Sequence, residues 1–270
     1  MNNSYLGLVE QTFNFPQPGI EVKNGNLIFN GIDIKKLMEK HGTPLKVTYL
    51  PKIGMNIDRA KQYFANAMKR HKYEGKYYYC YCTKISHFSF VVEEALKHNI
   101  HLETSYAYDI DIINQLFKRR KINKEISIVC NGFKQKNYTS RIAKLINSGF
   151  KNVIPVLDNK EELNMYKRSI KTGQPFKIGI RIAAEEEPTF PFYTSRLGIR
   201  ARDVLEFYVD EIEGNEDKFQ LKMLHIFLNK GIKDDIYYWS ELRKSINLYC
   251  QLRKICPELD SLNIGGGFPI

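Results

Sequence analysis

The sequence predicts an α/β fold whose strands run parallel and curl into a barrel. Three observations carry that expectation. Short runs rich in β-branched and aromatic residues alternate with longer amphipathic runs, at intervals of roughly 25–40 residues. Strand–helix–strand alternation implies parallel pairing, because parallel neighbours need a long crossover between them. Seven strand candidates of this kind are visible, at 76–82, 100–103, 126–131, 152–157, 176–182, 221–227 and 261–264. A closed (β/α)8 barrel of the TIM type takes eight. The sequence stops at Ile270, just past the seventh, so the barrel is expected to be truncated before strand 8. A doubly wound open sheet is the alternative that periodicity alone leaves standing.

The elements follow in order. Residues 24–41 (NGNLIFNGIDIKKLMEKH) resemble a strand, a turn and a short helix lying outside the barrel. Residues 46–50 look like a further short strand and 53–71 like a helix, so the expected division is 1–45 and 46–270. In 88–99, Phe88, Val91, Val92, Ala95 and Leu96 fall on one helical face. Asp158-Asn159 ahead of Glu161-Glu162 supplies a helix N-cap with an acidic first turn. In 238–255, Trp239, Leu242, Ile246 and Tyr249 fall together in the same way.

Bulk properties narrow the function classes. The chain has 270 residues, 43% of them hydrophobic, enough for one large core or two modest ones. No stretch approaches the roughly 20 apolar residues of a membrane span. The start, MNNSYLGLVEQTFNFPQPG, lacks a basic region followed by an apolar one, and a cytoplasmic protein is expected. The five cysteines, Cys80, Cys82, Cys130, Cys250 and Cys256, form no matched metal-type pairs, so reduced, mostly buried thiols and no metal site are expected. The net charge of +11 invites a nucleic-acid reading. However, the cations are spread along predicted helix faces, and the densest run is only Lys118-Arg119-Arg120-Lys121. No nucleic-acid partner is expected.

Four features at strand ends carry chemistry. The run YYYCYCTK delivers Lys84 at the end of the first barrel strand. Partial desolvation in a barrel mouth lowers a lysine pKa and frees the amine as a nucleophile toward aldehydes; the alternative is a solvated strand-terminal lysine. After the seventh strand, Gly265, Gly266 and Gly267 let backbone N–H groups approach a phosphate with no Cβ in the way, at a position where barrels often bind phosphate. The alternative is a flexible turn. Arg181 lies inside the apolar strand of Ile180-Arg181-Ile182, with Glu185, Glu186 and Glu187 and then Ser195-Arg196-Leu197-Gly198 beyond. A buried arginine needs an anionic or polar partner, so it contacts either a ligand or a strand-end acid such as Glu103. His225, in Leu224-His225-Ile226-Phe227, is either a satisfied core histidine or a site residue.

Together and in this order, the motifs resemble those of the fold-type III pyridoxal-phosphate decarboxylases, the alanine-racemase-like barrel group. That group includes ornithine, diaminopimelate and biosynthetic arginine decarboxylases. YCTK is similar to the family's Tyr-Ala-Val-Lys-like motif, with Lys84 in the place of the cofactor-holding lysine. LETSYAYD, with Glu103, matches the acid of the second strand. Asn131-Gly132-Phe133-Lys134 resembles the third-strand turn, and 156–163 (VLDNKEEL) the fourth-strand Asp-Ser-x-x-Glu-Leu. RIA with Arg181, SRLGI and GGGFP complete a resemblance over roughly 40–270. The likeness is greatest to a bacterial branch of arginine decarboxylases, in YYYCYCTK, VCNGFK, EEEPxFxFYTSRLGI and LNIGGGFPI.

The resemblance implies a lyase that uses pyridoxal 5'-phosphate and decarboxylates a basic amino acid, arginine to agmatine in polyamine and spermidine biosynthesis. Diaminopimelate, ornithine or carboxynorspermidine as substrate, or a same-fold racemase or cofactor-binding protein, are the alternatives. It also implies a homodimer, an N-terminal segment belonging to a β domain, and cofactor contacts from Lys84, Glu103, Arg181, His225, Phe227 and Gly265, Gly266 and Gly267. Two departures stand out. Where many relatives carry His-x-His-x-Gly-Ser, this chain reads HIFLNKG, so Phe227 replaces a ring-stacking histidine and no Gly-Ser follows. The family's Glu-Pro-Gly-Arg segment, Cys-Asp pair and phosphate-binding Tyr are expected after GGGFP, where this sequence ends. The 270-residue chain is accordingly expected to have little activity alone.

Overall fold

The computed structural model describes residues 19–183, 197–227 and 235–266. The chain divides into two compact units, Met1–Asn56 and Ile57–Ile270. In the first, β1 (Ile20–Lys23), β2 (Asn26–Phe29) and β3 (Ile32–Asp33) form an antiparallel sheet and α1 (Ile34–His41) follows. Asn24-Gly25 and Asn30-Gly31 make both turns, each with two positive φ values, the conformation that tight hairpins demand and Asn-Gly supplies. Asp33 caps α1 by accepting the Lys36 N–H at 3.2 Å. The strand, turn and helix expected within 24–41 are all present.

The second unit alternates strand and helix. After α2 (Pro51–Arg70), which crosses the division, come β4 (Cys80–Cys82), α3 (Ser89–Leu96), β5 (His101–Thr104), α4 (Ala107–Lys118), β6 (Ser127–Cys130), α5 (Lys136–Asn147), β7 (Asn152–Leu157), α6 (Lys160–Ser169) and β8 (Phe176–Ala183). The short β9 (Ile199–Arg200), α7 (Val204–Glu211), β10 (Phe219–Ile226), α8 (Asp235–Ile255) and β11 (Ser261–Asn263) complete the series. The main strands are parallel and lie in the order β11-β10-β8-β7-β6-β5-β4, with β9 beside β8. Neighbours in space are thus neighbours in sequence. A doubly wound sheet reverses direction in mid-order, and none of that is seen.

The sheet is strongly curled. Glu103 on β5 and Asn263 on β11 lie five strand positions apart in this order, which in a flat sheet would separate them by about 24 Å. Their side chains are 3.3 Å apart. Alternation along the strands sorts the rest. Val129, Ile154, Val156 and Met223 pack together with Cys80 on the inner face, and a Cβ on Gly179 would meet Val156 and Met223 at 3.3–3.4 Å. One residue out of phase, Ile178, Ile180 and Ile182 are buried on the helix-covered face. Two residues further along from the inner cluster stand Cys82, Asn131, Arg181 and His225, and the same period aims them inward.

Four local expectations are corrected. Residues 46–50 form no strand, because no ladder partner runs beside them. The first barrel strand is Cys80–Cys82 rather than 76–82. It is an edge strand whose single neighbour, β5, begins at His101, already paired to Tyr79 O at 2.8 Å. In α8 the buried stripe runs through Tyr238, Leu242, Leu248 and Leu252, while Trp239 and Ile246 are 62% and 42% exposed. The helix is turned by one residue from the expected face, since Tyr238 and Leu242 pack against Ile264 after β11. Phe88 precedes the first turn of α3 and is exposed, stacked on Phe90, whereas Val91, Val92 and Ala95 are buried as expected. Asn159 caps α6 as predicted, accepting the Glu162 N–H at 3.0 Å.

All five cysteines are free; Cys130 and Cys256 are buried, Cys80 and Cys82 half-buried, and Cys250 is exposed. No helix among the described residues is long and apolar enough to cross a membrane.

Candidate functional site

The strand-end residues named from sequence converge at one end of the curled sheet. Lys84 stands in the 3-10 turn Thr83–Ile85 that follows β4. Its Nζ lies 5.0 Å from the centroid of the Phe227 ring, just beyond β10. The Arg181 guanidinium, from β8, is 5.8 Å from the same ring. Two cations therefore face one aromatic surface, the arrangement that the ring's quadrupole favours. Phe227 also adjoins the glycine turn, where a Cβ on Gly265 would come within 3.0 Å of the ring and 2.7 Å of Ile226 O. Gly265 has φ +70°, and an added Cβ on Gly266 would meet nothing within 4 Å. Gly267, residues 185–187, Ser195 and Arg196 lie outside the described residues.

Lys84 is exposed, which corrects the expected desolvation. The turn carries it past the buried strand and out onto the open rim. The Lys84-bearing loop is tied down nearby by His87, whose Nε2 lies 2.9 Å from Asp109 Oδ1. Asp109 Oδ2 in turn accepts the backbone N–H groups of Ser105 and Tyr106 at 2.7 and 3.1 Å, closing the first turn of α4.

Below this rim lies a polar layer that sequence reasoning found only in part. The Glu103 carboxylate accepts from Asn131 Nδ2 at Oε1 and from Asn263 Nδ2 at Oε2, both at 3.3 Å. The Cys82 thiol also points at Oε1, 3.8 Å away. Burial and the Glu103 charge push that thiol up to about 11, so it donates as S–H. Asn131 Nδ2 is also 2.9 Å from His225 Nε2. A carboxylate only accepts, so the amide must turn its NH2 toward it. Nε2 is then an acceptor and the ring proton sits on Nδ1. His225 is fully buried, and burial, reinforced by Arg181, Lys134 and Lys84, lowers its pKa to about 3. The imidazole is neutral. Its Nδ1 is a buried donor with no partner among the described residues. His225 is therefore neither a fully satisfied core residue nor an exposed one. Asn131 and Asn263 went unnoticed as site residues, although counting in twos from Val129 and along Ser261-Leu262-Asn263 would have aimed both inward.

A buried ionic cluster supports the layer from one side. Lys134 Nζ lies 3.4 Å from Asp158 Oδ2, 3.1 Å from Glu162 Oε2 and 2.9 Å from Gly132 O. Burial raises the Glu162 pKa, with Lys134 opposing. A single ammonium is thus shared between two carboxylates, the pairing that lets such charges be buried. No group of three or more His, Cys, Asp or Glu side chains suited to a metal ion occurs among the described residues.

No protein-family model matches the chain. It is 23% identical over 255 residues to a biosynthetic arginine decarboxylase of Bacteroides thetaiotaomicron, covering 88% of this chain and 39% of that protein. The chain thus spans about two-fifths of the length of the curated relatives it matches. Among solved structures, the diaminopimelate decarboxylase of M. jannaschii in complex with L-lysine superposes with a TM-score of 0.75 at 20% identity, covering 94% of this chain and 57% of that one. The biosynthetic arginine decarboxylase of Campylobacter jejuni gives 0.71 at 21% identity, with 92% and 42% covered. SrLDC in complex with PLP and cadaverine gives 0.62 at 16% identity, with 94% and 56% covered. The chain is similar in sequence to arginine decarboxylases and shares the barrel fold of amino-acid decarboxylases, as its motifs imply.

Proposed function

We propose that this chain is the cofactor-binding barrel of a pyridoxal-phosphate-dependent amino-acid decarboxylase, with arginine as the substrate. One observation carries the reading: the Lys84 amine faces an aromatic ring that itself lies against the Gly265 turn. An amine, a flat apolar surface and a glycine-lined anion site are the three things that an aldehyde-bearing aromatic phosphate requires.

The residues fit such a group. The Gly265 position has no room for a Cβ, and the space beside Gly266 is open, so backbone N–H groups can meet phosphate oxygens directly. The neutral His225 offers its Nδ1–H as a buried donor in want of an acceptor. When bound, pyridoxal phosphate supplies an electron sink for the carbanion left by loss of CO2. Lys84 would present its amine to the cofactor's aldehyde from an exposed place on the rim, beside the Phe227 ring. Glu103, acceptor-only and fixed at both oxygens, orients a donor on the ring. Arg181 offsets anionic charge, and Phe227 gives an apolar face for stacking. Gly265 and Gly266 would hold the phosphate, with Gly267 the third glycine of the same run in the sequence. Arginine as the substrate, a role in polyamine and spermidine biosynthesis, a cytoplasmic site and a homodimer rest on the likeness to the arginine decarboxylases.

The test is covalent attachment. Mixed with pyridoxal phosphate and reduced with borohydride, the wild-type chain should gain one pyridoxyl group on Lys84 by peptide mass spectrometry, and Lys84→Ala should gain none. Equal labelling of the variant would end the assignment. Decarboxylation assays of the complete gene product with arginine, ornithine, lysine, diaminopimelate and carboxynorspermidine identify the substrate; turnover of another of these in preference to arginine would replace arginine in the proposal.

A further inference from the structure

The layer beneath the rim forms a closed circuit. His225 and Asn263 are register partners on the adjacent strands β10 and β11. Starting from His225, hydrogen bonds lead to Asn131 at the end of β6, to Glu103 on β5, and back across to Asn263 on β11. The circuit therefore crosses the barrel interior twice and fastens opposite walls to each other. Its amides have no rotational freedom left. Asn263 Oδ1 accepts the Gly265 N–H at 2.9 Å, which forces Nδ2 toward Glu103. The acceptor-only carboxylate forces the Asn131 NH2 inward in the same way. A carboxamide is the side chain that can accept from a backbone N–H on one side and donate to a carboxylate on the other.

We infer that Asn131 and Asn263 are positioning residues, clasping Glu103 by both carboxylate oxygens and so setting the spacing between Glu103, His225 and the glycine turn. Its consequence for ligand binding rests on the pyridoxal-phosphate reading. The clasp links the anion site at Gly265 to the wall that carries β4, β5 and Lys84. If it is released, the phosphate cradle and the lysine keep their own local structure but lose their mutual register. Among the described residues, the titratable groups that interact with the carboxylate are the thiols of Cys80 and Cys82 from β4 and Cys130 from β6; His225 from β10 is joined to it through Asn131, and Arg181 pairs in register with His225.

Asn263→Asp separates positioning from packing. It is nearly isosteric and keeps an oxygen for the Gly265 N–H, but sets a second carboxylate against Glu103. Two carboxylates this close share a proton, and the protonated one again donates to its neighbour. The variant is expected to bind pyridoxal phosphate about tenfold more weakly than wild type at about pH 8, and to close that gap as pH falls toward about 5. Asn263→Ala, with nothing to protonate, should stay weak at both. Absorbance titration gives the affinities, and thermal melts followed by circular dichroism confirm folding. Wild-type affinity for Asn263→Asp at the higher pH, or a deficit that does not shrink with acid, overturns the clasp. Should the wild-type chain bind no pyridoxal phosphate, the cofactor reading falls by itself. The clasp is then judged by melting: Asn263→Asp should lose more stability relative to wild type at the higher pH, and an equal loss at both overturns it.

Discussion

Burial sets the charge of His225, and the sign of its effect on stability follows. Its pKa is about 3 in the folded chain against an ordinary value of 6.5. Between these values the unfolded chain binds a proton that the folded chain refuses, so stability falls as pH drops through that window. This one group contributes a slope of up to about 1.4 kcal/mol per pH unit. His225→Gln, which keeps an acceptor for Asn131, should show a flatter loss of stability in urea unfolding between about pH 6 and 4; unchanged slopes would mean that the imidazole is already protonated in the fold. The glycine turn offers a second contrast. At Gly265 the positive φ and the 2.7 Å approach to Ile226 O make alanine strained, at a cost of order 1–3 kcal/mol. At Gly266 alanine meets nothing and should change stability by less than about 0.5 kcal/mol. If the turn holds phosphate, Gly266→Ala still weakens pyridoxal-phosphate binding in an equilibrium titration; unchanged affinity would reduce the turn to a connector.

At the scale of elements, the β6–α5 and β7–α6 connections are pinned by charge rather than by apolar contact. The side chains of Lys134, Asp158 and Glu162 are only 0%, 3% and 4% exposed. Lys134→Met would leave two carboxylates buried together, and losing one member of such a group costs about 3–5 kcal/mol. A drop of that size in the unfolding free energy from urea denaturation is expected; a loss under about 1 kcal/mol would show that water reaches the cluster. The cap at this scale was legible in the sequence: Asp158-Asn159 ahead of two glutamates announces the start of α6, whereas of the two hairpins at the N-terminal end only one strand and one turn were expected. The buried stripe of α8 was not. Tyr238 and Trp239 are adjacent and both large, so two apolar faces one residue apart fit the helical period, and only Ile264 packing against Tyr238 and Leu242 selects between them.

For the molecule as a whole, the sheet has β4 and β11 at its two ends and β6, β7 and β8 between. Edge strands bond on one side only and open more readily. Amide hydrogen exchange should therefore be slowest in β6 to β8 and β10 and fastest in β4 and β11. Comparable protection of β4 and β11 would mean that something covers those edges. The sequence alone determined the α/β class, the number and direction of the main strands and the positions of Lys84, Arg181 and the glycine turn. Each is a local signal: a two-residue or 3.6-residue period, or a residue type at a strand end. The tertiary structure alone decided the rest. It set the curl that brings β5 within hydrogen-bonding reach of β11, the tautomer of His225, and the recruitment of Asn131 and Asn263, because each of these depends on side chains meeting across the barrel from positions as distant as Glu103 and Asn263, and no local period encodes that encounter.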